Sequence, residues 1–377
     1  MKENTKDILW YICTNLILIT IAVITIFIIY FRYNSNKEEI IEEYGKQANV
    51  IVSVIQAEKV ATNKEKDENT YIYEIPIINE TEDSEGLLSN NNYKYFYYQL
   101  DENAKMIYDT IEENIENMKT GLYTIDLPDK VANTLYESED TSVLEQEFQS
   151  AWDALSLDRV DLFYIDVPKV NLVIQKTTHF SKTTYKLSLK PQEDYDYLCN
   201  GFENEETVNS ALIQLKNKKN EILNSIDNGS TYEILLQIHD YLVDQITYSE
   251  ENGDNAYSIY GAIVQNQAVC EGYAEALKYI LDEIGIPCVL VSGKATNSEG
   301  RTENHEWNYV KIEGKWYAID VTWDDPIIKG TGILTNGIKH KYFLKGSSTM
   351  QKDHFPNGIV SDNGIEFEYP NIEKEDY

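Results

Sequence analysis

The stretch AVCEGYAEALKYILDEIGIP at 268–287, followed by HEWNYVKIEGKWYAIDVTW at 305–323, decides how this chain is read. In the first segment Ala274, Leu277, Ile280, Leu281 and Ile284 recur at helical spacing. Gly285 and Pro287 stop the run, so a helix is expected from Cys270, or just after it, to about Ile284. A cysteine at a helix start faces the positive end of the peptide dipoles, which favours its thiolate. The second segment alternates in polarity as two strands, His305–Ile312 and Lys315–Val321, joined by Glu313-Gly314, a two-residue hairpin signal. With those two residues in the turn, Ile312 faces Lys315 and Trp307 faces Asp320, which puts His305 diagonal to Asp320 on the same face. A loop one residue longer would place them on opposite faces. A thiolate beside an imidazole, with a carboxylate to orient the ring, is the set that nucleophilic catalysis requires.

Each of these residues also has an ordinary explanation. Cys270 could be a buried core residue or could bridge Cys288. His305 alone could be a surface residue, whereas Asp320, between Ile319 and Val321 on a half-buried strand, needs a partner. Cysteine, histidine and aspartate also suit zinc. No second Cys or His lies near either candidate at ligand spacing, although Cys288 could contribute. The expectation is therefore no metal.

Working outward, CVLVSG at 288–293 reads as a buried strand. GSTYEILLQIHDYLVDQITYS carries an apolar stripe at Leu235, Ile238, Leu242 and Ile246, with Thr231 as the expected N-cap, and a further helix fits 205–227. Upstream, helices are expected over YKYFYYQLDENAKMIYDTIEENIENMKTG, ending at Gly121, and over 141–156. LFYIDVP and KVNLVIQKTTHFSKTTYKLSLKP, within 162–191, read as successive strands. YIYEIPII at 71–78 reads as an edge strand, and residues 34 to about 65 as a helix.

The N-terminus is of a different kind. Ile8 to Phe31 contains 24 residues and no charge, a helix of ~36 Å, enough to cross a bilayer core of roughly 30 Å. It is too long for a cleavable signal peptide, so an uncleaved anchor is expected, with the bulk of the chain extracytoplasmic. The divisions expected are a tail at 1–7, the anchor at 8–31, a stalk at 32–92, an α+β module at 93–204, the cysteine-bearing domain at 205–347 and a tail at 348–377. Across 377 residues, 64 acidic groups against 32 basic ones give a net charge of −32, which disfavours a nucleic-acid partner. The acids cluster at 80–85, 101–117, 137–147 and 371–376, so the surplus is expected on the shell, where it could favour a basic protein substrate.

AVCEGYAEAL, HEWNYVKIEGKWYAIDVTW and HDYLVDQITYS, in that context, resemble the transglutaminase-like superfamily of papain-fold cysteine enzymes, over roughly 230–345. The resemblance implies an α+β core in which the helix bearing the cysteine packs on an antiparallel sheet bearing histidine and aspartate. It implies Cys270 as nucleophile, His305 as general base and acid, and Asp320 as the orienting carboxylate. It also makes His354, in YFLKGSSTMQKDHF, a structural residue. The expected chemistry is attack on a protein or peptide amide to form a thioester, resolved by water or by an amine. The Cys270 N–H is the first candidate oxyanion donor, with Tyr260, Gln265 or Gln267 as the second, and Trp307, Trp316 and Trp323 are candidates for the cleft wall. No cofactor is called for: there is no phosphate-binding glycine loop and no EF-hand run of carboxylates. The competing expectation is a catalytically silent binding module on the same scaffold.

Overall fold

The structure, a computed structural model, describes residues 94–377 apart from 138–139, 180–181, 193–194, 250, 252, 299 and 326–338, together with the backbone of two strands, 39–44 and 49–55. The expected anchor at 8–31 and edge strand at 71–78 lie outside the described residues. Among the described residues no helix is long and apolar enough to cross a membrane.

Two sheets organise the chain. The first takes β1 (Glu39–Tyr44), β2 (Asn49–Ile55), β3 (Ile125–Asp126), β4 (Val170–His179) and β5 (Lys182–Pro191) in the order β1-β2-β4-β5-β3. β2 runs parallel to β4 and the other pairs are antiparallel. The helix expected over 34–65 is thus corrected to two strands. NVIVSVI places β-branched residues in succession, and that preference outweighs the helix formers around it. LFYIDVP is also corrected: short 3₁₀ turns at Val160–Leu162 and Val167–Lys169 take the place of a strand.

The second sheet is built from β8 (Cys288–Thr296), β9 (Thr302–Ile312), β10 (Lys315–Ile319) and β11 (His354–Pro356), ordered β10-β9-β8-β11 and antiparallel throughout. A two-stranded ladder of β6 (Thr247–Tyr248) and β7 (Gln267–Ala268) leads into the cysteine. The β9–β10 register pairs Ile312 with Lys315 and Ile319 with Asn308. Glu313 and Gly314 form the turn with φ of 50° and 75°, the left-handed pair that a tight hairpin demands.

The main helices are α1 (Glu102–Glu113), α2 (Ser142–Asp158), α3 (Glu205–Ser225), α4 (Thr231–Gln245) and α5 (Cys270–Glu283). Ser230, not Thr231, caps α4, in a reciprocal arrangement with Glu233. α5 is central: Tyr273, Ala276, Leu277, Ile280 and Leu281 are all fully buried, the large ones each stabilising by about 1.5–3 kcal/mol. It ends with Gly285 N–H on Asp282 O and Ile286 N–H on Leu281 O, with Gly285 at φ 74°, a Schellman stop.

The expected divisions at 204 and 347 do not separate the core. One cluster of buried apolar side chains runs from Phe96 through Trp152, Leu172, Leu215 and Leu277 to Phe367. Residues 348–377, expected as a tail, are likewise part of the fold, because β11 completes the second sheet and Phe367 and Met350 are buried.

Candidate active site

Cys270 is the first residue of α5, and Val269 before it offers no side-chain cap. The first-turn N–H groups of a helix have no acceptor within the helix, so they are left to face whatever enters the cleft. Val269 N–H bonds Ala256 O, which fixes the approach to the cysteine. His305 sits on β9, paired across the sheet with Gly293 of β8. A side chain at Gly293 would meet Phe355 O at 2.3 Å, so glycine is what lets β11 close against β8 beside the histidine.

The hairpin brings His305 and Asp320 together: His305 Nε2 lies 2.7 Å from Asp320 Oδ2. Cys270 and His305 line the same two cavities, and the Cys270 sulfur acts electrostatically on the His305 ring. Asp320 is completely buried. It also takes His354 Nε2 at 2.9 Å on the same oxygen, and Trp323 N–H at 3.0 Å on Oδ1 as the cap of the four-residue helix Val321–Asp324. The three residues singled out in the sequence are thus adjacent, and His354 joins them as a second partner of the carboxylate.

Burial works against charge at both groups, but their attraction wins. His305 is desolvated, yet Asp320 and the Cys270 sulfur raise it to about 10. Asp320 is desolvated as well, yet His305 and His354 hold it well below the usual carboxylate range. The resting pair at neutral pH is imidazolium and carboxylate.

Two cavities open on Cys270 and His305. One, of about 480 Å³, is lined by Tyr257, Glu271, Ser292, Lys294, Asn304 and Glu306 among others. The second, of about 290 Å³, is lined by Tyr248, Arg301, Thr322, Trp323 and Asp325, among others. Tyr260, Gln265 and Trp307 are not among the lining residues. Tyr260 stacks on Phe163 at 5.6 Å and meets Phe202 edge-on, which commits its ring to the core. Gln265 is exposed at the end of a single π-helical turn, and Gln267 belongs to β7. Trp307 is buried behind the histidine, its ring 5.9 Å from that of His305. Of the three tryptophans expected in the wall, Trp323 alone is among the residues that line these two cavities.

Cys270 and Cys288 are both unbridged, which settles the disulfide alternative. Cys288 is buried against Asn308 Nδ2 at 3.4 Å, and burial pushes its thiol far up.

Three carboxylates that the charge map did not foresee lie in this region, and two of them, Glu271 and Glu306, line the larger cavity with Cys270. Glu271 and Glu275 on α5 and Glu306 on β9 are half-buried, and Glu275 accepts Ile259 N–H at 3.0 Å. Burial raises Glu271 to about 7. Burial and Glu271 raise Glu306 to about 8 and Glu275 well above its ordinary value. Among the described residues no lysine or arginine pairs with any of the three. Part of the acidic surplus therefore reaches the site, although most of it is expected on the shell.

A second histidine–aspartate network lies behind the short helix. Asp324, fully buried, accepts from His239 Nε2 at 3.2 Å and from Tyr342 N–H at 2.8 Å. His239 Nδ1 faces Asp240 Oδ1 at 3.2 Å, and His340 Nε2 faces the same oxygen at 2.6 Å. Two His–Asp–His groups, His305–Asp320–His354 and His239–Asp240–His340, place their ligand atoms close enough to hold a metal ion. The chain has five histidines, and four of them (His239, His305, His340 and His354) enter these networks. That scarcity is the one sequence signal that could have drawn attention to His239, His340 and Asp324.

Residues 219–321 match the family model described as the transglutaminase-like superfamily. Kyphoscoliosis peptidase of Mus musculus is 23% identical over 164 residues, which is 40% of this chain and 25% of that protein. The Homo sapiens protein of the same name is 26% identical over 120 residues, covering 30% of this chain and 18% of its own length. The chain thus spans about a quarter or less of the curated relatives it matches. Among solved structures, one described as a TGase covers 46% of this chain and 50% of its own at 15% identity, with a TM-score of 0.29. A putative cysteine protease from Cytophaga hutchinsonii covers 41% and 63% at 15% identity, with a TM-score of 0.24. Those superpositions are too partial to carry an argument. The match at residues 219–321, a segment of mixed helix and sheet, identifies a transglutaminase-like stretch within this chain.

Proposed function

We propose that this chain is a cysteine acyl-transfer enzyme acting on protein or peptide amides through Cys270, His305 and Asp320. One observation carries the reading: His305, with Nε2 held 2.7 Å from the buried Asp320 carboxylate, lines the same open cavity as Cys270. The thiolate attacks the amide carbon, and the Cys270 N–H stabilises the oxyanion that forms. His305 then passes its proton to the leaving nitrogen as the C–N bond breaks, leaving a thioester and a free amine. Water or a second amine attacks the thioester, its proton returns to His305, and the Cys270 sulfur leaves as thiolate. Asp320 keeps the ring oriented and supports the imidazolium in each half-reaction.

The cavity beside Cys270 favours a cationic side chain next to the scissile amide, because Glu271 and Glu306 line it and a cation placed there would draw both raised carboxyls back to their ionised forms. The overall −32 charge acts in the same direction at longer range. The uncharged run at 8–31 supports a single-pass anchor that holds the catalytic residues outside the cytoplasm. Removing residues 1–31 should release the chain from the membrane fraction, and a truncated chain that still sediments with membranes would contradict the anchor.

The decisive assay incubates the full chain with a lysine-rich protein and a labelled primary amine. Label in the acceptor means transamidation, and new peptide termini mean hydrolysis. Either should vanish in Cys270→Ala. Turnover that survives in that variant would exclude the mechanism and favour the silent binding module.

A further inference from the structure

The chemistry above makes no use of His239, Asp240 and His340. Each of the three offers a ligand atom within 4.8 Å of those of the other two, and His239 Nδ1 and His340 Nε2 both face Asp240 Oδ1. His239 projects from the buried face of α4 and has no exposed surface, whereas His340 and Asp240 are 24% and 36% exposed. The group is closed on the protein side and open to solvent on the other.

The proton inventory of His239 is the telling feature. Its Nε2 faces Asp324, whose two oxygens also accept from Tyr342 N–H, so Nε2 must carry the hydrogen. In a neutral ring Nδ1 then presents a lone pair, and it faces a carboxylate oxygen at 3.2 Å. Two acceptors cannot sit face to face unless the ring gains a second proton or a cation lies between them. A charge-assisted N–H···O bond closes to about 2.7–2.9 Å, and at Asp320 the two imidazoles do so, at 2.7 and 2.9 Å. Like His239 Nε2–Asp324, the His239 Nδ1–Asp240 separation is 3.2 Å, longer than that. It is close to the edge of a tetrahedral zinc shell, about 3.3 Å for metal–ligand bonds of about 2.0–2.1 Å. His340 Nε2, at 2.6 Å, would have to draw back by well under an ångström.

We infer that His239, Asp240 and His340 form a binding site for a divalent cation of the zinc type, with water in the fourth position and Asp324 as the carboxylate that orients His239. Two imidazoles and one carboxylate are the donor set such an ion prefers, and a metal-bound histidine usually gives its remaining N–H to a carboxylate, as His239 does to Asp324. The His305–Asp320–His354 group offers the same residue types but is wholly buried, with Cys270 on the other side of His305 and Asp353 bonded to His354 Nδ1 at 2.7 Å. The ion would join α4 to the segment that resumes at Lys339, which is already paired with Asp244 of α4. Through Asp324 it would also brace the helical turn that begins at Asp320.

The test uses the full chain carrying Cys270→Ala, so that no catalytic thiol can bind metal, dialysed against Zn²⁺ alone and analysed for bound metal. The expected result is one ion per chain, with affinity lowered at least about 10-fold by His340→Ala or Asp240→Asn and unchanged by His354→Ala. Circular dichroism shows whether each variant is folded, and His340, being partly exposed, is the variant most tolerant of loss. Co²⁺ in place of Zn²⁺ should give tetrahedral d–d absorption that His340→Ala abolishes. Any other pattern, whether no stoichiometric metal or a metal lost with His354 and kept without His340, overturns the site.

Discussion

Asp320 and Asp324 stand at the two ends of one turn of helix, both without exposed surface and both hydrogen-bonded to histidine, yet their ionisation moves in opposite directions. Asp320 collects two imidazole donors and a backbone N–H, and its carboxyl is held far down. Asp324 has one imidazole, at a longer distance, and one backbone N–H. There burial wins, and the carboxyl is pushed up to about 6. Equal burial with unequal donors gives opposite results, so the number and closeness of donors decide which aspartate is a permanent anion. The anion faces the cysteine side through His305, and the weaker acid faces α4 and the segment after Lys339.

The sharpest way to break this comparison is to neutralise each carboxylate. Asp320→Asn should lower amide turnover about 10⁴-fold, because the ring loses both its orientation and the partner for its charge. Asp324→Asn should lower turnover less than about 10-fold while costing about 1–3 kcal/mol in urea unfolding, the cost of a weakened buried hydrogen-bond pair. Equal kinetic damage from the two would erase the distinction. His354→Asn removes one of the two donors on Asp320 and leaves His305 in place. A loss of about 10-fold in kcat is expected, with the alkaline limb of kcat/KM, set by His305 near pH 10 in the wild type, moving only slightly. His305→Ala should be near the Asp320→Asn level, and a His354 variant equally impaired would make His354 a second catalytic group.

The pH dependence of stability separates the two aspartates by sign. Asp320 is depressed below its ordinary 3.8, so its contribution is present above that value and is lost as pH falls. His305 is raised from 6.5 to about 10, so its contribution is complete below 6.5 and is lost as pH rises through 10. The penalty of Asp320→Asn should therefore be largest between about pH 5 and 6.5 and fall off as pH rises toward 10. Asp324 is raised from 3.8 to about 6, so its contribution is complete below 3.8 and is lost as pH rises through 6. The penalty of Asp324→Asn should accordingly shrink from pH 4 to pH 7, where that of Asp320→Asn does not. Penalties of the same slope would show that donor number does not govern the pair. The smallest effect is expected at Glu306, raised from 4.5 to about 8. Glu306→Gln should raise the melting temperature at pH 8 by roughly 2 °C, about 1 kcal/mol, and leave it unchanged at pH 5.

What the sequence disclosed follows the same logic of local against distant contacts. Cys270 at a helix start and the Glu313-Gly314 turn are local signals, and once the turn has two residues the pairing of β9 with β10 follows without further information. His354 reaches Asp320 from a strand of three residues whose place is set by pairing with β8 at Gly293, a contact that leaves no periodicity in the chain. The same holds for His239, which meets Asp324 across 85 positions. Tyr260 misled because an aromatic just upstream of a nucleophile suits the cleft and the core equally, and Phe163 and Phe202 draw it into the core. The strands at 39–55 misled because helix-forming neighbours hid the Val/Ile run. The shared core of the two expected domains could not be read from composition, since contacts between distant buried side chains leave no mark on the composition of either half.

The most direct measurement of the central claim needs no substrate. The full chain is treated with iodoacetamide at pH 7, and the rate of adduct formation at each cysteine is followed by peptide mass spectrometry in the wild type and in His305→Ala. If His305 holds a proton toward the Cys270 sulfur, Cys270 should be alkylated at least about 10-fold faster in the wild type than in the variant, with Cys199 unchanged between the two. Equal rates at Cys270 in both proteins would contradict the pairing of Cys270 with His305 on which the account rests.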